Sequence, residues 1–118
     1  MSSPSFSNRL KLQLANRFEN YVLTVLKNKY ENCAIYEQYK LISGLIPDFV
    51  VECDEKLVVV DAKAKEILTR KDVGQVIEYM IELDADSAAI YVEDYTVVPE
   101  SVEDHAVING IDIEYANR

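Results

Sequence analysis

Three residues near the middle of the chain have the types and spacing to do chemistry: Asp48, Asp61 and Lys63. They lie on two β-rich runs, Asp48-Phe-Val-Val-Glu-Cys53 and Lys56-Leu-Val-Val-Val-Asp-Ala-Lys63. The polar pair Asp54-Glu55 separates the runs, a pattern that predicts a hairpin. With those two residues as the turn, Cys53 faces Lys56, Val50 faces Val59 and Asp48 faces Asp61. Opposed residues on antiparallel strands carry Cβ atoms about 4.5–5.5 Å apart on one face of the sheet. Lys63 is two residues beyond Asp61 and therefore points to that face too. Two like charges so placed beside apolar runs are destabilising unless one carboxyl holds its proton or a divalent cation sits between them. Paired carboxylates suit Mg²⁺, which binds proteins through one or two of them and keeps several waters. Such an ion lowers the pKa of a bound water and neutralises charge developing on a phosphoryl group. A neighbouring ammonium can orient the attacking water, help deprotonate it, or stabilise the transition state.

These side chains need a scaffold. From Ser7 to Lys29 the apolar residues Leu10, Leu14, Phe18, Val22 and Val25 recur at helical spacing, with Ser7 or Asn8 as a start signal and Lys27 and Lys29 at the end. Glu19 falls at the edge of that stripe, where a partly buried carboxylate needs a partner. Cys33 to Tyr39 reads as a strand, followed by the two runs of the hairpin. Neither hairpin run alternates cleanly, so both faces of the sheet are expected to be covered. A second helix fits Arg70 to Leu83, capped by Thr69, with Gln75 and Tyr79 four apart on one face. Ser87 to Val92 reads as a short buried strand and Pro99 to Asp104 as a helical turn. Ile108 to Tyr115 reads as a final strand or a hairpin around Asn109-Gly110. The order predicts an α/β sandwich around a mixed sheet in a single domain, residues 1–118, with residues 1–6 as a loose tail.

Pro47-Asp48, a hairpin, then Asp61-Ala62-Lys63 resembles the PD-(D/E)xK nuclease superfamily. The upstream helical Glu19 fits the same pattern, and Gln75-Val-Ile-Glu-Tyr79 resembles the QxxxY signature of RecB-like nucleases and type I restriction subunits. The resemblance spans about residues 15–92. It implies a restriction-endonuclease-like αβββαβ core and a Mg²⁺-dependent DNA endonuclease, with Mn²⁺ able to substitute. It implies that Asp48, Asp61 and the backbone carbonyl of Ala62 bind metal, that Glu19 completes or positions the metal shell, and that Lys63 serves the hydrolytic water. Gln75 and Tyr79 would support the site or contact DNA. The small size is similar to that of archaeal-type Holliday-junction resolvases and of viral or mobile-element nucleases, although the resolvases tend to be basic. A homodimer is expected, since a chain of this size offers little surface for both a site and a DNA grip.

Charge and composition bound the alternatives. The chain has 118 residues and a net charge of −9. Residues 1–71 carry a net +2 and residues 72–118 a net −11. Long-range electrostatics therefore repel nucleic acid, and phosphate contacts must come from the first part, where Arg9, Lys11, Arg17, Lys65, Arg70 and Lys71 are candidates. The acidic part reads as a solvated face, a surface for a basic protein partner, or a mimic of DNA charge. The last two correspond to rival functions: a catalytically inactive nuclease-like protein-binding module, or an acidic DNA-mimic inhibitor. No apolar run approaches the ~20 residues of a membrane span, and the first residues lack the layout of a secretory signal. Cys33 and Cys53 are too few for a disulfide framework or a zinc site and read as small buried thiols in a reduced cytoplasm. His105 stands alone and reads as structural. With only three glycines, a phosphate-cradling loop is not expected.

Overall fold

The computed structural model describes residues 6–117, with side chains from Leu10 onward. A long helix α1 (Phe6–Lys29) leads into three antiparallel strands, β1 (Ala34–Glu37), β2 (Phe49–Cys53) and β3 (Lys56–Lys63). Helix α2 (Arg70–Leu83) carries the chain to β4 (Ser87–Val92), and α3 (Glu100–Ile108) carries it to β5 (Ile111–Tyr115). The five strands lie in the order β1-β2-β3-β4-β5. β1, β2 and β3 pair antiparallel, while β4 and β5 join parallel to their predecessors. The two parallel connections each need a crossover, and α2 and α3 supply them.

Alternation along the strands sends side chains to two separate cores. On one face Val59, Ile90, Val92 and Ile111 pack under Val73, Val76 and Tyr79 of α2 and Val102 and Ala106 of α3. On the other, Phe49, Val51, Val60 and Tyr91 pack against Phe18, Val22 and Leu26 of α1. Helices therefore cover both faces, which is why β3 and β4 read as unbroken apolar runs. Helix α2 is closed by a capping box: Asp72 N–H donates to the Thr69 hydroxyl, and Thr69 N–H donates back to the Asp72 carboxylate.

Several expectations are corrected. The first two leucines of the α1 stripe, Leu10 and Leu14, are about half exposed at 47% and 48%. Leu14 lines an open groove with Ala64, Ile67 and Tyr95 and is not packed into the core. Phe6 opens α1 instead of ending a tail, and Ser7 and Asn8 are helical; residues 1–5 lie outside the described part. Asn109-Gly110 is not a hairpin turn. It closes α3, with Gly110 at φ 74°, and leads to a strand parallel to β4. The helical turn at 99–104 runs on to Ile108. Cys33 and Cys53 are not free thiols but form a disulfide with Cα atoms 4.6 Å apart. Ala34 pairs with Glu52, so one step further the register sets residue 33 opposite residue 53. Twenty residues separate the two cysteines along the chain, and only strand pairing brings them into bonding range.

Candidate active site

The hairpin has the register its turn predicts: Val50 opposes Val59 and Cys53 opposes Lys56. Asp54 makes the turn with φ 47°, a left-handed conformation that aspartate tolerates. The backbone ladder stops at Phe49↔Val60, just before the two aspartates would pair. Side chains take over from there. Asp48 N–H donates to Asp61 Oδ1 at 3.1 Å, and Ala62 N–H donates to Asp48 Oδ2 at 2.8 Å. Each aspartate thus clasps the backbone of the strand opposite, and the clasp holds the two carboxyls against each other. Pro47, which has no N–H to offer a ladder, precedes the clasp.

One oxygen of each carboxyl remains. Asp61 Oδ2 lies 3.0 Å from Lys63 Nζ. Asp48 Oδ1 is approached by the Gln38 side-chain amide at 3.5 Å. Lys63 Nζ also donates to Gln75 Oε1 of α2 at 2.8 Å. The ammonium is therefore fixed between the strand that carries it and the helix packed over it. Tyr79, one turn after Gln75, is only 3% exposed. It belongs to the core between α2 and the sheet.

The electrostatics follow from burial. Asp61 is 2% exposed. Burial first, then the neighbouring Asp48, push its carboxyl from 3.8 up to about 7, against the pull of Lys63. Asp48 is raised by burial in the same direction, in spite of the Ala62 N–H it accepts. Burial works against the charge on Lys63, but Asp61 outweighs it, so the ammonium holds its proton above the ordinary lysine range. The Tyr79 phenol is pushed up to about 12 by burial and then by Asp61 and Asp48. Glu19 arrives from α1, on the other side of the sheet. Its carboxyl is raised by burial and then by Asp61, and Asp48 partly offsets this through a side-chain hydrogen bond. The structure therefore groups Asp48, Asp61, Lys63 and Gln75 tightly, sets Tyr79 beneath them, and brings Glu19 within electrostatic range.

Among the described residues, no three His, Cys, Asp or Glu side chains form a ready-made metal cage. The donor set still suits a hard divalent ion that keeps most of its waters, because Asp48 and Asp61 each keep one carboxylate oxygen outside the backbone clasp, the first beside Gln38 and the second beside Lys63. Lys65, a candidate phosphate contact from the sequence, is engaged within the fold. Its Nζ is paired with Asp72 Oδ2 at 2.8 Å, the carboxylate that also closes the α2 capping box. That bond and the Thr69 contacts overcome burial and hold the Asp72 carboxyl below its usual range. The side chain of Arg9 lies outside the described ones. Sequence reasoning missed Gln38, which sits at the end of β1 with φ 51°. Its backbone N–H donates to the Asp48 carbonyl at 2.9 Å. Its only sequence signal is its place at the close of a strand-like run.

The sequence matches no family model and no curated protein. Among solved structures it is similar in fold to Pyrococcus furiosus SfsA in complex with Ca²⁺, with a TM-score of 0.58 and 13% identity over 89% of this chain. It is also similar to a protein of unknown function, AF1548, with a TM-score of 0.60 and 13% identity over 83% of this chain. This chain covers 56% and 57% of those two chains, little more than half of their length. At such identity the likeness is one of fold: a compact α/β unit with a five-stranded mixed sheet flanked by helices.

Proposed function

We propose that this protein is a Mg²⁺-dependent DNA endonuclease of the PD-(D/E)xK type that hydrolyses phosphodiester bonds. The observation that carries this reading is the buried Asp48–Asp61 pair clasped across the hairpin, with Lys63 held beside it by Asp61 and Gln75. Such a pair costs stability when empty, and a divalent cation relieves that cost. SfsA, which is similar in fold, is known in complex with Ca²⁺.

In this reading Asp48 and Asp61, with the Ala62 carbonyl, hold the ion, and Glu19 tunes the outer part of the site. The bound ion supplies neutralisation of phosphate charge and a more acidic water. Lys63 keeps its proton, so it serves as a donor and not as a base. It orients the attacking water and stabilises the negative charge that grows on the phosphoryl oxygens. Water oxygen bonds to phosphorus, one ester P–O bond breaks, and the water's proton leaves to solvent while the departing oxygen is protonated. Gln75 fixes the Lys63 amine, and Tyr79 closes the floor of the site to water. A homodimer belongs to the same proposal and is checked by sedimentation at micromolar concentration.

The test is a cleavage panel of duplex, single-stranded, flap and four-way-junction DNA with Mg²⁺ or Mn²⁺, run beside Lys63→Ala. Cleavage by the native protein alone supports the reading. No cleavage of any substrate, together with no Mg²⁺ or Mn²⁺ binding in a titration, would reject it and favour a protein-binding module acting through the acidic half.

A further inference from the structure

The end of β1 displays an aromatic pair that the chemistry above does not use. Tyr36 pairs with Val50, and Val50 with Val59, so Tyr36 projects from the same sheet face as the aspartate pair. Gln38 then takes a left-handed conformation, φ 51°, which breaks the strand alternation. The next ring, Tyr39, folds back against Tyr36 with centroids 5.9 Å apart and planes at 63°. The Tyr36 hydroxyl donates to Glu52 Oε1 at 3.3 Å, tying its ring to β2. Both rings stay open to solvent, at 42% and 46% exposed. A non-glycine residue held at positive φ is an outlier of the kind that collects at functional sites. Here that residue also touches the site, through its bonds to the Asp48 carbonyl and carboxylate.

We infer that Tyr36 and Tyr39 form a stacking shelf for the unpaired bases of a nucleic-acid strand entering the Asp48–Asp61 site. The inference rests on the proposed nuclease reading and names its substrate class as DNA with unpaired bases next to the scissile phosphate. Charge works against a strand held by its phosphates, so the affinity of this face must come from the rings. A chain with a net charge of −9 gains little from neutralising phosphates, and Glu37 and Glu52 flank the shelf. Stacking on an aromatic face does not depend on charge, and one stacked base raises affinity by a factor of roughly 5 to 150. Aromatic rings tied in place lose little freedom when a base lands on them. Lys40, exposed and next to Tyr39, is the neighbouring positive charge in the sequence.

The test measures fluorescence anisotropy of labelled 15-residue oligothymidine, and of an abasic strand of equal length, with Mg²⁺ present. The Lys63→Ala protein serves as a background that does not cut. Tyr39→Ala, Tyr39→Phe and Tyr36→Ala are added to it, and each variant is checked for folding by its melt. The expected result is at least tenfold preference for oligothymidine over the abasic strand. Tyr39→Ala and Tyr36→Ala should lose that preference, and Tyr39→Phe should keep it. Equal affinity for both strands, no binding to either, or an unchanged Tyr39→Ala overturns the shelf. So does a Tyr39→Ala that alters sedimentation but not strand affinity, which would assign the pair to self-association. The two readings separate cleanly. Metal-dependent cleavage without a base preference keeps the nuclease and loses the shelf, whereas base-dependent binding without metal-dependent cleavage does the reverse.

Discussion

Replacing Asp61 by Asn removes one of two crowded carboxylates while keeping its shape, and the structure says what that does to stability. In the metal-free native protein the Asp61 carboxyl titrates at about 7, against 3.8 for the ordinary group. Between those values the folded chain holds a proton that the unfolded chain has released, so raising the pH favours unfolding. The stabilising contribution of that proton is present in full below about pH 4 and is lost as pH rises through about 7. Shifting a carboxyl that far amounts to roughly 4 kcal/mol, of which about 3 kcal/mol falls between pH 5 and pH 8. Asp48, raised for the same reason, adds in the same direction. Asn at position 61 can still accept the Asp48 N–H, but it leaves Lys63 with Gln75 as its remaining partner. That loss offsets part of the gain at high pH by about 1.5–3 kcal/mol. The assay is urea denaturation of both proteins in EDTA at pH 5 and pH 8, then with Mg²⁺ at pH 8. The native protein should lose about 3 kcal/mol more across that interval than Asp61→Asn. Mg²⁺ should restore the native protein at pH 8 and leave the variant unchanged. Equal pH dependence in the two proteins would refute the argument that burial and Asp48 together strain this carboxyl.

Other consequences are open to measurement. Lys63→Ala should abolish cleavage while the melt shows a cooperative fold, since the amine is held at the rim of the core. Glu19→Gln should weaken Mg²⁺ binding by about 10- to 100-fold in a calorimetric titration, as expected of an outer partner that tunes a metal site. Thr69→Ala should cost about 1 kcal/mol in urea denaturation, because it removes the hydroxyl that accepts the Asp72 N–H at the start of α2. Reducing the Cys33–Cys53 disulfide should cost roughly 3 kcal/mol, as expected for a closed loop of about twenty residues. A thiol titration before and after reduction, run beside the denaturation curve, checks this.

Much of the site can be read in the chain because the residues involved sit on regular elements. The turn at Asp54-Glu55 sets the hairpin register, and strand alternation then places Asp48, Asp61 and Lys63 on one face. Helical spacing puts Gln75 and Tyr79 on the face of α2 that meets β3. The range of α2 and the span of β4 follow from the same local rules. Gln38 was beyond reach because nothing in a Glu-Gln-Tyr run announces a positive φ. Lys65 looked available for phosphate because Asp72 becomes its partner only when the helix is docked.

Local sequence by itself determined the order of elements, the hairpin register and the shared face of the two aspartates and the lysine. These depend on periodicity and turn chemistry acting over a few residues. Tertiary structure alone decided the rest. It paired Cys33 with Cys53, left Leu10 and Leu14 in solvent, and turned the last segment into a parallel strand. It also brought Glu19 toward Asp48 from the opposite layer and set the protonation of Asp61. Each of these depends on what lies across the sheet or above it, and burial and long-range contact exist only once the layers have closed.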